Sequence, residues 1–106
     1  MEFIKVATLS EIPIGERILV AYEEDDVGIF NLAGKLYAIL DICTHDNGPL
    51  LNGKLDGDCV ICPRHGARFN LKTGQQTMPA FSPAPRYHVK IEGDDVLIAP
   101  LRLHEK

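Results

Sequence analysis

Cys43-Thr44-His45-Asp46-Asn47-Gly48-Pro49-Leu50 and, further along, Cys62-Pro63-Arg64-His65-Gly66 interrupt an otherwise regular rhythm of short strands. Each stretch opens on a cysteine and follows it within three residues by a histidine. Gly and Pro punctuate both, so each reads as a loop that leaves a β-strand. Sixteen residues separate His45 from Cys62. Two such loops side by side would bring two thiolates and two imidazoles together, a donor set suited to a transition metal. A structural Cys2His2 zinc site is one possibility and a two-iron centre is another. Zinc modules usually pair Cys with Cys and His with His, two to four residues apart. The mixed order here, with a single residue between Cys43 and His45, favours iron.

Outward from these loops the chain is rich in short β-forming runs bounded by Gly, Pro, Asn and Asp. Strands are expected at Phe3–Thr8, Arg17–Tyr22, Val27–Leu32, Lys35–Ile42, Cys59–Cys62, Ala67–Asn70, Arg86–Glu92 and Asp95–Ala99. Asn31-Leu32-Ala33-Gly34 and Glu92-Gly93-Asp94-Asp95 read as hairpin connections. In Arg86–Glu92 the alternation sends Tyr87, Val89 and Ile91 to one face and Arg86, His88, Lys90 and Glu92 to the other. Helical periodicity is missing apart from a short turn near Ser10–Ile14. The expected fold class is therefore all-β, a small antiparallel β-sandwich or barrel. Met78–Pro85, with three prolines, forms a third irregular stretch.

The chain has 106 residues, enough for one domain with its own core. A net charge of −4 with scattered Lys and Arg argues against a nucleic-acid partner. No apolar run approaches the ~20 residues of a membrane span, and no export signal is visible. Three cysteines, an odd number, fit a reducing compartment, so a cytoplasmic location is expected. The acidic run Glu23-Glu24-Asp25-Asp26 reads as a solvated turn. Cys59 reads as a small buried hydrophobe outside the ligand set, and His88 and His104 as surface histidines.

The pattern C-x-H then C-x-x-H in a β-rich domain of this size resembles the Rieske family, and most closely its soluble bacterial ferredoxins. Gly48-Pro49-Leu50, Pro63, Gly66, Phe69, Leu71-Lys72-Thr73-Gly74 and the proline stretch share in the resemblance, which covers nearly the whole chain. It implies a Rieske-type iron–sulfur fold in one domain, residues 1–106. The cluster-binding subdomain would be made of two loops, about 43–51 and 62–69, with a proline loop at about 78–85. It implies one [2Fe–2S] cluster per chain, with Cys43 and Cys62 on one iron and His45 and His65 on the other through Nδ1. Two ferric ions, two sulfides and two thiolates sum to a neutral oxidised centre, which one electron makes negative. Arg64 and Arg68 lie beside that charge in sequence. The outward rim would comprise His45, His65, Pro49, Leu50, Met78, Pro79 and Phe81.

Membrane-bound Rieske subunits carry an additional cysteine in each loop, joined as a disulfide; here those positions are Gly48 and Arg64. They also place Ser and Tyr hydroxyls where this chain has Ala67 and Phe69. Without these donors to sulfur the midpoint potential is expected at the low end of the Rieske range, about −150 mV. The resemblance implies an electron carrier without catalytic activity of its own. It would pass single electrons from an NAD(P)H-dependent flavoprotein reductase to a terminal oxygenase. The small subunit of a nitrite-reductase-like complex is the alternative, and a zinc-binding interaction module the remote one. With 106 residues there is no room for an oxygenase catalytic domain.

Overall fold

Alternation of side chains with period two decides how the strands at the middle of the chain are used. The structure is a computed structural model that describes residues 2–43, 48–64, 66–80 and 82–101. Among them run β1 (Ile4–Thr8), β2 (Arg17–Tyr22), β3 (Asp25–Leu32), β4 (Lys35–Leu40), β5 (Leu55–Asp56), β6 (Cys59–Ile61), β7 (Arg68–Asn70), β8 (Arg86–Glu92) and β9 (Asp95–Pro100). A single 3-10 turn, Leu9–Glu11, occupies the turn expected near Ser10. The larger sheet has the order β1-β9-β8-β4-β3-β2, and β5-β6-β7 form a second, smaller sheet. All pairings are antiparallel.

The large sheet folds on itself. β4 pairs with β8 only at Ala38↔Tyr87 and Ile39↔Arg86, while the outer strands β1 and β2 come back into contact. The result is a nearly closed barrel, as the all-β reading expected. Val27 and Ile29 of β3, Leu36 and Ala38 of β4, and Val96 and Ile98 of β9 fill its interior. The alternate residues Phe30 and Ile39 point the other way, into a second core shared with the small sheet. β3 and β4 are thus covered on both faces.

The connections follow turn chemistry. Leu32 faces Lys35 across a two-residue turn in which Ala33 (φ 55°) and Gly34 (φ 97°) both adopt left-handed backbone. That geometry matches the twist of the flanking strands. Asn31 secures this corner: its Nδ2 donates to Ile12 O (2.7 Å) and its Oδ1 accepts from the Gly34 N–H (2.8 Å).

Three expectations need correction. Only Glu23 and Glu24 make the acidic turn; Asp25 and Asp26 begin β3, although all four stay exposed. The strand expected over Lys35–Ile42 ends at Leu40, where the Ile42 N–H turns back to Leu40 O (2.8 Å). β5 carried no strand signal; its two residues are ordered by pairing with β6. Tyr87 packs on Tyr22 (5.7 Å between ring centroids) and its hydroxyl donates to Asp25 Oδ2 (3.4 Å). Burial first, then the Asp25 carboxylate, push its pKa up to about 12.

Two outcomes are expected. Asn31→Leu leaves the carbonyl of buried Ile12 and the Gly34 N–H without their side-chain partner, so denaturant unfolding should report a loss of about 2 kcal/mol with an unchanged m-value. Tyr87 should stay protonated when folded after the unfolded phenol has ionised at about 10. Stability should therefore fall as pH rises from about 10 to about 12, and Tyr87→Phe should make that fall shallower in denaturation midpoints.

Candidate metal centre

The first loop grows out of β4. Beyond Leu40 the chain is still tethered to β3, the Asp41 N–H donating to Asp26 O (2.9 Å). Cys43 follows, fully buried in the same core as Phe30 and Ile39. Its N–H donates to Gly48 O (2.6 Å), which closes the loop across residues 44–47. Those residues, His45 among them, lie outside the described residues. On the return, Asp41 Oδ1 accepts the N–H groups of Leu50 (2.8 Å) and Leu51 (2.7 Å). One carboxylate at the loop's entrance therefore holds its exit.

The second loop joins β6 to β7. The Cys62 N–H donates to Ala67 O (2.7 Å) and the Gly66 N–H to Cys62 O (3.1 Å), so the turn is tight. Cys62 is 1% exposed and shares its core with Cys43. His65 lies outside the described residues. The chain then runs back along β7: Arg68 and Thr77 exchange two bonds, Arg68 N–H to Thr77 Oγ1 (2.8 Å) and Thr77 N–H to Arg68 O (2.9 Å). From there the proline segment packs over the site, with Ala80 and Ala84 buried in the same core. Gly74 makes this approach possible. It has φ 80°, and a Cβ there would lie 2.7 Å from Ala84 O.

The two sequence-predicted cysteines thus come together, each at the start of a loop closed by its own backbone. Neither is in a disulfide, and Cys59 is not either. Burying two sulfurs among Leu50, Ala67 and Phe69 would penalise a thiolate unless a cation compensates it. A metal centre supplies that cation, so the pair fits two sulfur ligands of an iron site. Cys59 is set apart by alternation, since Val60 points into the core and Cys59 sits half-buried on the opposite face. It is not the buried hydrophobe expected.

Part of the expected rim also changes. Leu50 is wholly buried and supports the loop from beneath. Pro49 is exposed, Met78 is 67% exposed and Pro79 is half-buried; Phe81 lies outside the described residues. Arg68 forms an ion pair with Asp56, so its charge is partly compensated before any cluster is considered. Arg64 is exposed. Asp41 and Arg17, which hold the loop's exit, were not anticipated. No local pattern marks them, since their partners are backbone groups 9 to 36 residues away.

Comparison with known proteins agrees with this geometry. The Rieske [2Fe-2S] domain model matches residues 2–92. The biphenyl dioxygenase ferredoxin subunit of Pseudomonas sp. (strain KKS102) is 39% identical over 100 residues, covering 92% of each chain. A solved complex of reduced oxygenase and oxidized ferredoxin in carbazole 1,9a-dioxygenase contains a chain with a TM-score of 0.84 and 30% identity, with 92% of each chain covered. A putative NADPH nitrite reductase small subunit, at 20% identity and a TM-score of 0.77, has the same fold. The cofactor is accordingly one [2Fe–2S] cluster, and the protein is an electron carrier and not itself an enzyme. The chain belongs to the Rieske [2Fe-2S] family.

Proposed function

We propose that residues 1–106 act as one cytoplasmic electron-transfer domain, a ferredoxin that receives electrons from an NAD(P)H-dependent flavoprotein reductase. It passes them singly to the terminal oxygenase of a dioxygenase system. Cys43 and Cys62 ligate one iron of the cluster and His45 and His65 the other. When bound, the cluster supplies reversible one-electron chemistry. The chain's own residues hold the two thiolates in a dry core and limit solvent access.

The observation that carries this reading is the burial of Cys43 and Cys62 in one apolar core at the mouths of two backbone-closed loops. The dioxygenase role is supported by the 39% identical ferredoxin subunit. The nitrite reductase subunit supports only a common fold, so the oxygenase reading is preferred. Exposed Pro49 and Met78 offer apolar surface for transient contact with a partner. Ala67 and Phe69 line the same core without a hydroxyl, which favours a low potential.

Four outcomes are expected. The purified protein should be red-brown, bleach with dithionite and then give a reduced-cluster EPR signal. Cys43→Ser, Cys62→Ser, His45→Ala and His65→Ala should each abolish or grossly alter these signals, while Cys59→Ser keeps them. A colourless, zinc-replete protein would overturn the ligand set. The midpoint should lie near about −150 mV, and a value above about +100 mV would contradict the low-potential reading. For the partners, NADH with a dioxygenase-type reductase should reduce the protein, which should then deliver electrons to the matching oxygenase. Failure of both transfers, with transfer to a nitrite reductase instead, would favour the other subunit role.

A further inference from the structure

Arg17 lies on β2, far in sequence from either cysteine. Its Nη1 nevertheless donates to the carbonyl oxygens of Leu51 (2.7 Å) and Gly53 (2.5 Å). The guanidinium rests over the Phe30 ring, 5.1 Å from its centroid, and Phe30 is its neighbour across the β2–β3 ladder. Phe30 in turn belongs to the core that holds Cys43 and Cys62.

The two carbonyls belong to the segment that joins the paired loops. Leu50, just before Leu51, is wholly buried in the core with both cysteines. Gly53 packs so closely on the strand leading to Cys62 that a Cβ there would collide with the Ile61 carbonyl. From the other side Asp41 accepts the Leu50 and Leu51 N–H groups. An anion therefore holds the segment by its donors and a cation holds it by its acceptors. Among the described residues no carboxylate pairs with Arg17. In a half-buried setting such a charge is less screened than at an open surface.

We infer that Arg17 is a positioning residue for the cluster, a role that rests on the ligand set proposed above. It fixes the 50–53 segment that spaces the two cysteine loops, and its positive charge favours the reduced, negatively charged state. Losing it leaves two carbonyls without their donor and removes that charge.

The test compares Arg17→Met, Arg17→Lys and, as a control destabilised in the barrel core, Val96→Ala. In Arg17→Met the midpoint potential should shift to more negative values, visible absorbance should decay several-fold faster, and the amides of Leu50, Leu51 and Gly53 should exchange faster. Arg17→Lys keeps the charge and should recover most of the potential. Val96→Ala should lower stability while leaving the potential unmoved. Should Arg17→Met fail to fold, Arg17→Gln, which keeps a donor without the charge, takes its place. Wild-type potential and exchange in the uncharged variant would overturn the inference, as would a shift of equal size in Val96→Ala. A wild-type protein without cluster signals would instead sink the ligand set, so the two failures are distinguishable.

Discussion

Strands β3 and β4 are apolar on both faces, and the two cores they separate organise the molecule. A strand buried on one side alternates, whereas a strand buried on both must find apolar partners for every residue. Here Val27, Ile29, Leu36 and Ala38 face the barrel interior, and Phe30 and Ile39 face the small sheet. The barrel alone would leave the second set in water. The small sheet and its loops cover that face, and the chain leaving β4 passes directly into the second core at Cys43. The site is thus built where two packing requirements meet.

The loops that begin at Cys43 and Cys62 are held mainly by backbone groups. Cys43 to Gly48 and Cys62 to Ala67 are closed by main-chain bonds, so loop shape does not depend on a covalent clamp. The charged side chains that contribute do so by gripping peptide groups: Asp41 takes N–H groups, Arg17 takes carbonyls, and Arg86 Nη1 donates to Lys72 O. Bonds of this kind give peptide groups a charged partner, which makes them stronger than neutral ones. Ion pairs on the small sheet, Arg68 with Asp56 and Lys72 with Asp58, lie at the surface and contribute less.

Burial of the sulfurs has a redox consequence as well as a structural one. Ala67 and Phe69 surround them with carbon and no hydroxyl, while the nearby cation Arg68 is already paired. That setting supports the low potential proposed above. Arg17 stands out against this background because its two acceptors are neutral peptide oxygens.

Much of this was readable from residue types and spacing. The hairpin turns Ala33-Gly34 and Gly93-Asp94 follow from local backbone preference, and the cysteine–histidine spacing announces a metal site whatever the surrounding fold. These are short-range properties, set by a few adjacent residues. Leu50 was assigned to the surface, and Cys59 was taken as buried. Each error concerns which neighbour covers a side chain, and that depends on strands distant in sequence. Where β4 parts from β8, which face of β6 meets the core, and how Arg17 and Asp41 reach the 50–53 segment were decided by tertiary packing. By itself, the amino-acid order determined the donor atoms and the strand rhythm, because both are local chemistry. The burial of Cys43 and Cys62 and the packing of the strands came only from the folded chain, because contacts across tens of residues exist only once the two cores have closed.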